Sequence, residues 1–241
     1  MSQPTPTYAT IDPSQWRLGN IVTTPKGLKK VDVYCADGVT KPSFQLWKPE
    51  DPYPRAPYGI SEPFNNDGPG AATAPASSTP VSVKGMPLEL KHASHLEFAT
   101  KVDNALLGLV HQNQVRLLDL RADDEPLPLS MIRRQFCGFY KPSKKPEYAG
   151  TARIKVNVGS TALATQFLKR DAASRGLVTT MPDSLVRNST VIPILEINGL
   201  WLSSTGGIGV TVQATQVLIM SSGVSSVPTF SGLEFAMDVD E

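Results

Sequence analysis

With 241 residues, the chain has room for one sizeable domain with appendages, and 40% apolar and 19% charged residues suit a folded protein whose 21 prolines must sit in loops. A net charge of +1 excludes a global field drawing the chain to a polyanion, so any nucleic-acid contact must come from local charge clusters. Two cysteines, Cys35 and Cys137, exclude a disulfide framework and a cysteine-rich zinc site.

Residues 1–29 form an N-terminal extension whose polar start lacks the pattern of a secretory signal. No apolar run approaches the ~20 residues of a membrane-spanning helix, so a soluble intracellular protein without a membrane partner is expected. A domain over residues 30–220 opens with Val31, Val33 and Cys35 alternating with polar neighbours, and Asp37-Gly38 suits a hairpin turn into a second strand over Val39 to Trp47. Residues 49–80 are rich in proline and glycine and predict a long, partly disordered loop. A strand over Val81 to Leu90 follows. Ser94 and Glu97 then have the spacing of a capping box, and Leu96, Ala99, Val102, Leu106, Leu109 and Val110 recur at helical steps to about His111.

Beyond an acidic loop at residues 122–126, Ile132 to Tyr140 predicts a strand. Thr151 to Val158 alternates strictly, with Ile154, Val156 and Val158 on one face and Arg153, Lys155 and Asn157 on the other. Thr161 to Ser174 predicts a short helix or an excursion. A meander is expected from Thr190 to Ile197, an Asn198-Gly199 turn, Leu200 to Leu202, a turn at Gly206, Gly207 and Gly209, and Val210 to Met220. Residues 221–241 are a Ser/Gly linker and an acidic tail. Alternating Leu233, Phe235, Met237 and Val239 suit an edge strand, and the acids equally suit a mobile tail that docks on a basic groove or on partner proteins.

Catalytic signals are sparse. There is no nucleophile elbow and no Cys-His pair, and the glycines near 206 precede a strand rather than the helix a phosphate loop needs. His92 and His95 have a spacing compatible with metal ligation, but with no Cys cluster or carboxylate close in sequence they are expected to be solvent-exposed histidines at the helix start. His111 suits the helix dipole. The expectation is a non-enzymatic binding protein with no cofactor and no metal.

Local charge is the stronger signal. From Met131 to Lys155, Arg133, Arg134, Lys141, Lys144, Lys145, Arg153 and Lys155 stand against Glu147 alone, and Phe136, Phe139, Tyr140 and Tyr148 are interleaved with them. Cations neutralise phosphates while aromatic rings stack on unpaired bases, which suits a single strand better than a duplex. The bland alternative is that the aromatics belong to the core and the Lys-Pro segment is a solvated loop.

The order MPLEL, SHLEFATKVDNALLGLV, ARIKVNV and VIPILEINGLWLSSTGGIGVTVQATQVLIM resembles the OB-fold single-stranded DNA-binding proteins of large eukaryotic DNA viruses, related to the phage replication type, over roughly residues 81–220. The resemblance implies a mainly β, OB-fold-like five-stranded barrel with one packed amphipathic helix, a DNA groove across one sheet face and a tail that contacts replication partners. Lys155 and Trp201 are the positions that carry over. The last aromatic here, Phe235, is not terminal as it is in the phage proteins.

The expected function is therefore sequence-independent single-stranded DNA binding in replication or recombination, in the nucleus or a viral replication compartment, with both a monomer and a homo-oligomer compatible with the sequence. Phosphate contacts would come from Arg133, Arg134, Lys144, Lys145, Arg153 and Lys155, and stacking from among Phe139, Tyr140, Tyr148, Trp47 and Trp201. The alternatives are a β-sandwich structural or virion protein and an RNA-binding OB module.

Overall fold

The computed structural model describes residues 5–25, 27–61, 81–121, 123–159, 164–171 and 176–221. Most of the proline-rich run (62–80) and the linker and tail (222–241), with the expectations attached to them, lie outside these. The strands and helices are β1 (Arg17–Thr23), β2 (Lys29–Tyr34), β3 (Ser43–Gln45), β4 (Arg55–Ala56), β5 (Val81–Gly85), β6 (Leu88–Glu89), α1 (Ala93–Gln112), α2 (Gln114–Leu117), α3 (Leu129–Gln135), β7 (Phe136–Cys137), β8 (Tyr140–Lys141), β9 (Thr151–Ala152), β10 (Lys155–Gly159), β11 (Gln166–Arg170), β12 (Leu177–Thr179), β13 (Ser189–Leu202) and β14 (Ile208–Ser221). None of the described helices is long and apolar enough to cross a membrane.

β13 and β14, 14 residues each, form an antiparallel hairpin that is the trunk of the sheet. Its tip is the glycine turn expected from the sequence, with Gly206 at φ +87° and the Ser203 amide bonded to the Gly207 carbonyl. Along β13, Val191, Leu195, Ile197, Leu200 and Leu202 are buried, because alternate residues of a strand share a face and this face meets the core. On the far edge of β13 lie β2, β3 and β4, all antiparallel to it. On the far edge of β14 lie β7, β10 and β11, all parallel.

Pro193 sits within β13 at no cost to the trunk ladder. Its carbonyl accepts from the Leu46 amide, so its backbone polar edge faces away from β14. β1 adds to β2, β5 to β10, and β12 to β11, while β6, β9 and β8 continue from β4. No ring of pairings closes among the described residues. The fold is mainly β and OB-like with one packed amphipathic helix, and the expected barrel is an open sheet. α1 buries Phe98, Ala99, Val102, Leu106, Leu107 and Val110 in the same core as Tyr8 and Trp16 from the N-terminal extension.

Several local expectations are corrected. Asn198-Gly199 is not a turn: β13 runs straight through it, and Gly199 (φ +149°) forms a bulge where a Cβ would collide with the Val31 carbonyl of β2. Asp37-Gly38 does turn the chain, with Asp37 Oδ1 accepting from the Val39 and Thr40 amides, but β2 and β3 each pair with β13 and not with each other. Ser94 is not a cap. His92 is the N-cap residue, without a side-chain cap bond, and α1 continues to Gln112.

The strand expected over Ile132 to Tyr140 begins as α3, which the preceding Pro128 starts and Ile132 anchors in the core, before β7. The strand expected over Thr151 to Val158 keeps its alternation but breaks between β9 and β10, because the Arg153 amide turns to the Phe139 carbonyl and the Ile154 carbonyl to the Met86 amide. In the segment expected as a short helix or excursion, Gln166–Arg170 is strand β11.

Candidate nucleic-acid interface

The face of the sheet turned away from the core is set by register. Lys30 of β2 pairs with Trp201 of β13, Trp201 with Gly209 of β14, and Gly209 with Cys137 of β7. Residues directly opposite one another in a ladder project to the same side, so these positions form one row across four strands, about 15 Å long at ~4.8 Å per strand. The Trp201 indole lies on the backbone of Gly209, where a Cβ would overlap the ring. At the end of the row the Arg153 guanidinium donates to Cys137 Sγ.

A second row crosses the same trunk, with Glu196 of β13 paired with Gln213 of β14, Gln213 with Lys155 of β10, and Lys155 with Gly85 of β5. Asn198 Nδ2 donates to Gln213 Oε1 at 2.8 Å. Burial confirms the sidedness: Lys155 is exposed while its neighbours Ile154 and Val156 are buried.

The two rows are electrostatically linked. Partial desolvation on the crowded face and then the positive charge of Lys30 push the Lys155 ammonium below its ordinary range. Neither Lys30 nor Lys155 has an ion-pair partner among the described residues. Two acids share the face: Asp32, whose Oδ1 lies 3.4 Å from Lys41 Nζ, and Glu196, set apart from Lys155 by Gln213. A half-buried indole with a lysine opposite it, and further cations and amide side chains on the same face, can hold a base by stacking and phosphates by charge.

Of the residues expected from sequence, Arg153, Lys155 and Trp201 converge on this face. Lys144, Lys145 and Tyr148 lie together on the exposed loop joining β8 to β9, with Lys145 Nζ 5.9 Å from the Tyr148 ring centroid. Arg133 and Arg134 project from α3, and Arg133 reaches Asn104 of α1 at 3.4 Å. Phe139 is corrected to a core residue: it is fully buried and offers no stacking surface. Tyr140 is half-buried against the core, its ring filling the space beside Gly150. Trp47 is held by its own neighbourhood, stacked on Tyr53 with Nε1 donating to the Asp51 carbonyl at 2.8 Å.

Lys30 was not among the expected site residues. The alternation of Val31 and Val33 places it outward, but only the β2–β13 register sets it beside Trp201. The segment carrying Arg153 is positioned in part by Asp103 of α1, whose carboxylate accepts from the Phe139 amide at 2.6 Å and the Tyr140 amide at 2.9 Å. Burial raises its pKa to about 6 even though both amides pull the other way.

A separate polar cluster forms at the start of α1. His95 is buried, not exposed as expected, and His92 is partly exposed. Both face Asp51, which lies in the described part of the proline-rich stretch, and Tyr8 and Ser94 bond to the same carboxylate. Burial lowers the His95 pKa despite the nearby Asp51 charge.

No protein-family model matches the chain, and no curated protein sequence matches it. Among solved structures, it is similar to the single-stranded DNA-binding protein from bacteriophage Enc34 in complex with ssDNA, at 11% identity and a TM-score of 0.40, covering 91% of this chain and 97% of that one. It is also similar to gp2.5, a single-stranded DNA binding protein encoded by bacteriophage T7, at 12% identity and a TM-score of 0.37, covering 83% of this chain and 98% of that one.

Proposed function

We propose that this protein binds single-stranded DNA without sequence preference, as a non-enzymatic coat in replication or recombination, on the sheet face that carries Lys30, Arg153, Lys155 and Trp201. The observation that carries this reading is the register row in which the Trp201 indole occupies the space over Gly209 beside Lys30. An indole presented on a sheet stacks on any base, and lysines with no ion-pair partner among the described residues can neutralise phosphates. Lys144, Lys145 and Tyr148 on the β8–β9 loop, and Arg133 and Arg134 on α3, are candidate outer contacts. The acidic residues of 233–241 remain a candidate contact for replication proteins.

The test is a titration with oligo-dT followed by tryptophan fluorescence. Trp16 is buried and Trp47 is stacked on Tyr53, so saturable quenching is expected to arise from Trp201 and to vanish in Trp201→Phe. Lys155→Glu is expected to weaken binding while leaving the melting temperature nearly unchanged, since an exposed strand position away from caps and core usually changes stability by no more than about 0.5 kcal/mol. A flat titration would overturn the proposal and favour the non-binding structural role. Equal quenching by an RNA oligonucleotide would widen the ligand class to single strands in general.

A further inference from the structure

We propose that Asp51, His92 and His95 form a zinc site that fastens the chain before the proline-rich run to the start of α1. The side chains come from two places far apart in sequence. His92 at the N-cap and His95 one turn on share a side of the helix, and the fold brings Asp51 against them. His95 Nε2 lies 3.2 Å from Asp51 Oδ2, and His92 Nδ1 lies 3.6 Å from Asp51 Oδ1.

A tetrahedral zinc ion with bonds of about 2.0–2.2 Å sets its ligand atoms about 3.3–3.6 Å apart, close to both distances, and because the two rings face different oxygens of Asp51 a small rotation of the carboxylate brings one oxygen toward both. One candidate ligand atom from each of the three residues lies within 4.8 Å of the others. Two imidazoles and a carboxylate are a donor set that zinc accepts, with solvent in the fourth position.

The surroundings suit an ion. Asp51 and His95 are both 2% exposed at their side chains, whereas His92 is 39% exposed and gives access from solvent. Tyr8 Oη donates to Asp51 Oδ2 at 2.5 Å, the kind of outer hydrogen bond that orients a ligating carboxylate. Two groups compete with zinc: Ser94 Oγ, 2.7 Å from His92 Nδ1, and Lys48 Nζ, 4.0 Å from Asp51 Oδ1. The hydroxyl can rotate to serve Asp51 alone, and the partly exposed lysine can swing into solvent.

None of the three residues belongs to either register row of the proposed DNA-binding face. The test is calorimetric titration of the EDTA-stripped full-length chain with zinc, with melting curves at each metal concentration. One zinc equivalent and a zinc-dependent rise in melting temperature are expected. His92→Asn removes a ligand while supplying a residue favoured at N-caps, so its metal-free melting curve stays close to that of the unmodified chain. Zinc affinity is expected to fall by at least about 100-fold in that variant, and the melting rise to disappear.

Cobalt in place of zinc is expected to give tetrahedral visible bands without a thiolate charge-transfer band, which excludes Cys35 and Cys137 as the ligands. Absence of saturable binding, a thiolate band, or full zinc binding in His92→Asn would overturn the site and leave a hydrogen-bonded clasp in its place.

Discussion

At Gly209 the sheet makes room for an indole, because the residue opposite Trp201 has no side chain to hold the ring off the backbone. Gly209→Ala inserts a methyl into that overlap, and the indole must lift or rotate away. Overpacking of this kind costs roughly 1–3 kcal/mol of stability. Losing a stacking platform is worth roughly 1–3 kcal/mol per base, so oligo-dT affinity is expected to fall about 5- to 150-fold. Tryptophan emission of the free protein should shift to the red as the ring enters solvent. Unchanged emission with unchanged affinity would mean that the ring already stands clear of Gly209 in solution. Lys30 offers the complementary case at the same row. Lys30→Ala keeps the indole in place but removes a phosphate partner, so it should weaken binding without altering the free protein's emission.

At the scale of elements, Asp103 pins α1 to the chain leaving β7, and Gly138 leaves the space its carboxylate needs. Its folded-state pKa of about 6 lies above the unfolded value of 3.8, so the native state binds the proton more tightly. The stability gained by that uptake is fully present below pH ~4 and is lost as pH rises through about 6, an effect on the order of 2–3 kcal/mol. Asp103→Asn cannot titrate and sets an amide donor against a backbone donor, so it should be less stable at every pH. The margin by which the native chain exceeds it is expected to widen as pH falls from 7 to 4, read from denaturant unfolding at each pH. A margin that narrows would show that the two amide bonds, not burial, govern this carboxyl. Elements with a strong local period were legible in the sequence: the apolar stripe of α1, the alternation of β13 and β14, and the in-out parity around Lys155. Elements decided by distant partners were not. Asn198-Gly199 reads locally as a turn, yet the approach of β2 makes it a bulge. Seven residues of α3 with one buried apolar side chain leave too weak a period to oppose the strand-favouring Phe136, Cys137, Phe139 and Tyr140 that follow. Phe139 likewise reads locally as a surface aromatic among cations, and the place of Lys30 depends on the strand register that sets it beside Trp201.

Across the whole molecule the charge sums to +1, so no long-range field assists binding, and the salt dependence of affinity reports the phosphates touched. For a single strand, the logarithm of the affinity falls with the logarithm of salt by about 0.7 per neutralised phosphate. Contact through Lys30, Arg153 and Lys155 alone gives a slope of about 2 on this scale. Recruiting Arg133, Arg134, Lys144 and Lys145 as well would raise it to about 5. The sequence window rich in cations favours the larger figure, since those residues are close in the chain. The fold sorts them: Arg133 and Arg134 stand on α3 and Lys144 and Lys145 on an exposed loop, whereas Lys30 is paired with Trp201, Arg153 reaches Cys137 at the end of the same row, and Lys155 lies in the second row on the same face. A short oligo-dT is therefore expected to show a slope near 2 that Lys144→Glu with Lys145→Glu leaves unchanged and Lys30→Ala lowers by about 0.7. A slope near 5 that the loop substitutions reduce would move the binding path off the sheet face and onto the β8–β9 loop and α3, with Trp201 at its edge rather than its centre.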